Sequence, residues 1–186
     1  MIRKICERDR EVFLSLSEQF YSSPAVLHPV PKAFHEETFC ELMRSETYAL
    51  GFMLESEGEC AGYALLAKTY SREAGGMVIW LEELFVLPQF RSHGLGREFF
   101  SFLEKYTAEN GYARIRLEAE EENVRALSLY QRLGFEYMDY KQMYRQLRDS
   151  SKNRSAHRLI FDKIFAVSFF STCKRGKYSH KTESGT

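Results

Sequence analysis

Cysteine is scarce and scattered in this chain: Cys6, Cys40, Cys60 and Cys173 are its four, with no CxxC pair and no closely spaced histidines beside them. A disulfide framework or a zinc site needs tighter, patterned spacing, so the thiols are read as reduced and no metal is expected. No stretch approaches the ~20 apolar residues of a membrane span. The opening Met1-Ile2-Arg3-Lys4-Ile5-Cys6 is too short and too charged for a signal peptide, so a cytoplasmic protein is expected. Net charge is also lacking, with 26 Lys and Arg against 26 Asp and Glu, and no whole-chain case for binding nucleic acid follows. The balance hides an asymmetry. Residues 1–150 carry 18 basic against 24 acidic side chains, and residues 151–186 carry 8 against 2.

What is present is enough for one domain: 186 residues, a length that buries roughly 70% of the unfolded chain's surface. Ile2 to Cys6 reads as a strand, and a helix from about Asp9 to Tyr21 sets Val12, Leu16 and Phe20 on one stripe. Pro24, Pro29 and Pro31 keep the next stretch irregular before a second helix over about 35–44. Strands over 48–55 and 60–70 flank Glu57-Gly58-Glu59, a hairpin turn. A third, over 77–87, is apolar except for Glu82 and Glu83 and stops at Pro88. An amphipathic helix over 94–110, an alternating strand over 113–119, a short helix over 123–132 and one or two strands over 135–147 complete a mixed α/β layout with helices packed on a central sheet.

The sharpest local feature is Arg91-Ser92-His93-Gly94-Leu95-Gly96, after a strand and at the opening of a helix. Free amides at a helix start, with the macrodipole behind them, bind a pyrophosphate. Two glycines at such a turn are equally compatible with plain structure. The spacing is neither the dinucleotide fingerprint nor a P-loop.

This loop resembles the pyrophosphate loop of the GNAT superfamily, Arg/Gln-x-x-Gly-x-Gly/Ala. A second run, Asn123 to Phe135, matches every fixed position of that superfamily's Asn-x-x-Ala-x-x-x-Tyr-x-x-x-Gly-Phe. The resemblance covers about residues 2–147, and the core motifs are similar to those of bacterial-type polyamine acetyltransferases. It implies a central, mixed but mostly antiparallel twisted sheet with about four flanking helices. It also implies acetyl-CoA as co-substrate. Leu84, Phe85 and Val86 would pair with the pantetheine amides. Arg91, Ser92, His93, Gly94, Leu95, Gly96 and Arg97 would form the phosphate loop, Asn123 would bond the pantetheine arm, Ala126 would leave room for it, and Tyr130 would set its hydroxyl beside the thioester sulfur. His93 departs from the small or basic residue common at its position.

Transfer to an amine needs an uncharged nitrogen, and an alkylamine of pKa near 10.4 is almost wholly protonated at neutral pH. A carboxylate within reach drains that proton. Glu82 and Glu83 are the candidates. In a regular strand they point to opposite faces, and Glu82 resembles the position polyamine acetyltransferases use, so it ranks first. Salt-bridged structural glutamates are the competing reading. Tyr130 is the candidate acid for the leaving thiolate. His28 and His35 read as surface histidines with a lesser claim on the acceptor site. Tyr21, Phe34 and Phe39 read as core before pocket, and the run from Glu118 to Glu122 as a solvated helix entry.

The expected activity is therefore acetyl transfer to a primary amine, small and polyamine-like or peptidyl, by a homodimer acting in a ternary complex. The rival is a catalytically silent acyl-CoA-binding module. The motif set is complete before position 150, and residues 1–148 are read as the catalytic domain and 149–186 as a basic extension outside it. A chain ending at Arg148 is expected to keep its melting temperature and its acetyl-CoA affinity. Insolubility or loss of the cooperative transition would place the apolar run around Phe165 in the core.

Overall fold

A computed structural model describes residues 1–145 apart from 24, 25 and 27. Five strands, β1 (Ile2–Lys4), β2 (Ala49–Ser56), β3 (Glu59–Ser71), β4 (Gly76–Val86) and β5 (Arg114–Leu117), form one sheet in sequence order. The first three pairings are antiparallel and β4–β5 is parallel. Four helices complete it: α1 (Arg10–Tyr21), α2 (Lys32–Arg44), α3 (Leu95–Glu109) and α4 (Val124–Arg132). The mixed, mostly antiparallel sheet with four helices is the architecture expected. No helix among the described residues is long and apolar enough to cross a membrane.

Period-two alternation splits the core into two layers. Leu50, Phe52 and Leu54 of β2, with Leu66 and Ile79, meet Phe99, Phe100 and Leu103 of α3. Met53, Tyr63 and Phe85 face Phe13 and Leu16 of α1 and Phe39 and Leu42 of α2 on the other side. Each fully buried large side chain here removes apolar area worth roughly 1.5–3 kcal/mol. A fan of ion pairs closes the sheet at β1. The Arg3 guanidinium grips both Asp9 oxygens at 2.7 and 2.8 Å while its Nε donates to Glu55 at 2.6 Å.

The last expected strands are not formed. Residues 135–145 adopt neither helix nor strand, and 146–147 lie outside the described residues. Phe135 instead turns in against Phe100 and Tyr130. Tyr137, Tyr140, Met143 and Tyr144 stay exposed, since β-forming side chains become a strand only where their context supports one. The chain divides into Met1–Met138 and Asp139–Thr186. The boundary expected after 148 lies outside the described residues.

Gly62 fixes how closely β4 lies on β3. It pairs with Val86, and a Cβ built on it would stand 2.0 Å from the Phe85 carbonyl oxygen, which is backbone and cannot swing aside. Gly62→Ala is expected to cost about 1–3 kcal/mol and to lower the melting temperature by about 5 °C. Calorimetry giving an unchanged midpoint would show that the strands separate freely there.

Candidate active site

The site begins with a break in β4. Leu66 pairs with Leu81 and Leu65 with Glu83, so Glu82 is an extra residue in a β-bulge. Before it, Ile79 and Leu81 face α3; after it, Leu84 and Val86 do. The alternation changes parity at Glu82, and both glutamates fall on the face toward α1 and α2. The expectation that they point to opposite faces is thus corrected: a regular strand would separate them, and the bulge does not. β5 pairs with β4 only as far as Leu81 and Leu117. From Glu82 onward the β4 edge away from β3 has no strand partner among the described residues.

The chain then turns through Pro88–Phe90, and the Arg91 side chain folds back so that Nε donates to the Val86 carbonyl at 2.8 Å. Ser92 and Gly94 take positive φ angles of 70° and 88°. Glycine meets that demand at no steric cost at the N-cap of α3. The first intrahelical bond there is Glu98 N–H to the Gly94 carbonyl, at 3.0 Å. The amides of Leu95, Gly96 and Arg97 precede it and are the open donors of a helix start. Across the gap, Asn123 Oδ1 accepts from Ala126 N–H at 3.2 Å and caps α4, leaving its amide nitrogen to donate elsewhere. Arg125 Nη2 donates to Ser92 Oγ at 2.9 Å, tying the two motifs together.

These pieces enclose a cleft of about 580 Å³. Of the expected cofactor residues, Leu84, Phe85, Val86, Arg91, Ser92, Gly94, Leu95, Gly96, Arg97, Asn123, Ala126 and Tyr130 line it, and the exposed His93 does not. Phe20, Ser23, Phe90, Arg125, Leu129 and Arg132 also line it and were not anticipated. Positions 125, 129 and 132 share a helical stripe with the motif residues, a signal present in the sequence. Phe20 arrives from α1 and Ser23 from just past its end, which no local pattern announces. Four of the lining side chains are arginines and none is acidic. Open helix-start amides, an arginine rim and a free strand edge together fit a diphosphate with an extended amide-bearing arm.

Tyr130 is partly buried between Phe100 and Phe135, at ring separations of 5.5 and 5.9 Å. Burial raises its phenol pKa, so the proton stays on at neutral pH. Glu83 is buried at 8% exposure and Glu82 is exposed; neither lines the cleft. Tyr21 donates to Glu83 Oε1 at 2.8 Å and Tyr63 to Oε2 at 2.5 Å. Burial raises the Glu83 pKa against the opposing pull of both hydroxyls and of His35. The Glu82 pKa is raised by desolvation, then by the charges of Glu118 and Glu83. His28 is exposed, as expected, whereas His35 is corrected: it is 5% exposed, its Nδ1 lying 2.7 Å from Ser17 Oγ between α2 and α1. Phe39 is core and Phe34 is exposed.

A sheet that parts beside a helix start, with an anion cradle in the parting, forms a binding site for a diphosphate-bearing ligand laid along a strand edge. Residues 11–135 match the family described as acetyltransferase (GNAT). Thialysine N-epsilon-acetyltransferase of Bos taurus is 30% identical over 135 residues, 72% of this chain and 74% of that protein. Spermine/spermidine N(1)-acetyltransferase of Bacillus subtilis (strain 168) is 32% identical over 84 residues, 44% of this chain and 55% of that one. The structure of the aminoglycoside acetyltransferase AAC(6')-Iy with the bisubstrate analog CoA-S-monomethyl-acetylneamine shares the fold, with a TM-score of 0.66 at 22% identity over 78% of this chain and 97% of that chain. The chain belongs to the GNAT acetyltransferase family and is an acetyl-CoA-dependent N-acetyltransferase.

Gly96 offers a clean probe of the cradle. Its Cβ would meet only Leu129 Cδ2, at 3.9 Å, so Gly96→Val is compatible with the fold while filling the cleft floor. Acetyl-CoA affinity measured by calorimetry is expected to fall about tenfold or more, the ~1.5–3 kcal/mol of a charge-assisted hydrogen bond. Gly94→Val should lose at least as much because it also strains a positive φ. Unchanged affinity in both folded variants would put the diphosphate elsewhere.

Proposed function

We propose that the enzyme moves an acetyl group from acetyl-CoA to a primary amine, a small polyamine-like cation or a peptidyl amine, by direct attack within a ternary complex. The observation that carries this is the joining of the Ser92–Arg97 amides, the Asn123 cap and Tyr130 around one cleft, with two glutamates on the adjoining bulge of β4. Bound acetyl-CoA supplies the thioester whose acyl carbon the amine attacks. The helix-start amides and Arg125 hold its diphosphate, and the open edge at Leu84 and Val86 aligns its arm, the Phe85 carbonyl being turned toward Gly62 of β3. The Val86 carbonyl is already engaged by Arg91, so that residue contributes through its remaining backbone group. Tyr130 Oη holds a proton for the departing sulfur. Its hydroxyl makes no hydrogen bond among the described residues and is free to turn toward it. One carboxylate of the Glu82–Glu83 pair takes the proton that frees the amine's lone pair. The thialysine and spermine/spermidine acetyltransferases among the relatives support a cationic acceptor.

Tyr130→Phe keeps the ring and its packing, so acetyl-CoA affinity should hold while kcat falls ~10²–10⁴-fold. Replacing Glu82 and Glu83 together with Gln should depress the rate at neutral pH and let it recover as pH nears the amine's own pKa. Both carboxyls have raised pKa values, so the wild-type rate should fall on acidification from a higher pH than an ordinary glutamate of 4.5 would give. An assay of free thiol release with a panel of amines reads all three. Tight acetyl-CoA binding with no thiol release for any amine would favour the silent module.

A further inference from the structure

A buried polar cluster lies outside the cleft lining and spans four elements. Glu83 of β4 has one oxygen on the Tyr21 hydroxyl of α1 and the other on the Tyr63 hydroxyl of β3. Tyr21 in turn sets its ring edge-on to His35 of α2, at 5.4 Å, and His35 is bonded to Ser17. No cation pairs with Glu83 among the described residues; its partners are two neutral hydroxyls. Burying a carboxylate on those terms is costly. Perturbed groups of this kind concentrate at functional sites.

The two tyrosines differ in access. Tyr63 is fully buried against Phe13, Phe20 and Phe85. Tyr21 is only partly buried at the end of α1, and its neighbours Phe20 and Ser23 line the cofactor cleft. The Tyr21 oxygen donates to Glu83 and keeps lone pairs with which to accept. Glu82, by contrast, is exposed and makes no hydrogen bond or ion pair among the described residues, so nothing fixes its carboxylate.

We propose that Tyr21 is the proton conduit between the acceptor's ammonium group and Glu83, which makes Glu83 rather than Glu82 the group that stores the proton. This rests on the reading above that a β4 glutamate drains the amine. In the step, an N–H bond of the ammonium breaks and its proton joins Tyr21 Oη while the original Tyr21 proton passes to Glu83 Oε1. Tyr21 ends neutral, Glu83 ends as a neutral acid still held by Tyr63, and the amine is left uncharged with its lone pair free. The proton then returns to water along the same path. Burial and the Glu83 charge hold the Tyr21 phenol far above its usual pKa, so it works by exchange rather than by ionising. The titratable groups facing Glu83 are Tyr63 from β3, Tyr21 from α1, His35 from α2 and Glu82 from its own strand.

The test follows kcat/KM against pH for the full chain, with acetyl-CoA and spermidine as the probe acceptor. Tyr21→Phe is expected to lower the neutral-pH value by about 10²-fold, to regain it as pH approaches 10, and to leave acetyl-CoA affinity unchanged. Glu83→Gln should behave likewise, and the double variant should be no worse than either, because the two act in one chain. A normal profile for Tyr21→Phe beside a defective Glu83→Gln overturns the conduit and leaves the glutamate reading standing. A normal Glu83→Gln beside a defective Glu82→Gln also overturns it. Normal profiles in all three glutamine and phenylalanine variants sink the glutamate reading itself. Should Tyr21→Phe fail to fold, 3-fluorotyrosine at position 21 keeps the shape and donates more strongly. The acid limb should then move to lower pH, and an unmoved limb rejects the proposal.

Discussion

The separation of β4 from β5 after Leu81 and Leu117 is the constraint on which the rest of this molecule depends. A parallel pair that continued would bury the outer edge of Leu84–Val86 in a ladder and leave no place for an extended ligand. The extra residue at Glu82 sits where the pairing ends, and a bulge adds twist that helps turn the strand away. From there the consequences run in order. The freed edge opens a gap, α3 and α4 border it, and the helix-start amides behind Gly94 and the Tyr130 side chain both line it. Gly62 contributes from the opposite edge by letting β3 hold β4 at a distance no side chain would permit.

The same bulge determines what the glutamates can do. By shifting parity it brings Glu82 and Glu83 to one face, where they repel each other and where α1 and α2 supply Tyr21 and His35. Burial keeps the proton on each carboxyl to higher pH, and at Glu82 the charges of Glu118 and Glu83 add to it. The two carboxyls nonetheless live differently, one on an exposed residue within reach of the Glu118 charge and one sealed under two phenols. That difference in environment, rather than distance along the strand, separates their roles.

Much of this was legible in the sequence because it is local. Apolar periodicity gave α1, α2 and α3 to within a few residues, and the loop and Asn-to-Tyr motifs each sit on one turn or one short helix. What escaped was non-local. A bulge is a property of two strands in register, so nothing in the run Leu81-Glu82-Glu83-Leu84 reveals that the pleat skips there. His35 looked like a surface residue because its partner, Ser17, is eighteen positions away on another helix. The stretch over 135–145 differs in the opposite sense: its tyrosines and Phe135 suit a strand, yet β-propensity depends on context and none forms there.

Two carboxylates show how differently this fold treats negative charge. Asp9 is gripped by the Arg3 guanidinium and accepts the Cys6 amide, and its pKa is driven far below the usual carboxylate range by those bonds. Its contribution to stability is complete above the unfolded value of 3.8 and is lost as pH falls through the folded one. Glu83 runs the other way. Its folded pKa is raised, so the fold favours the protonated form, and stability declines as pH rises from 4.5 through the raised value. A residue selected only for stability would be arranged like Asp9, with a cation at hand. Glu83 has hydroxyls instead, which hold a carboxylate in place without cancelling its charge, and a group held that way keeps the capacity to accept a proton that Asp9 has given up.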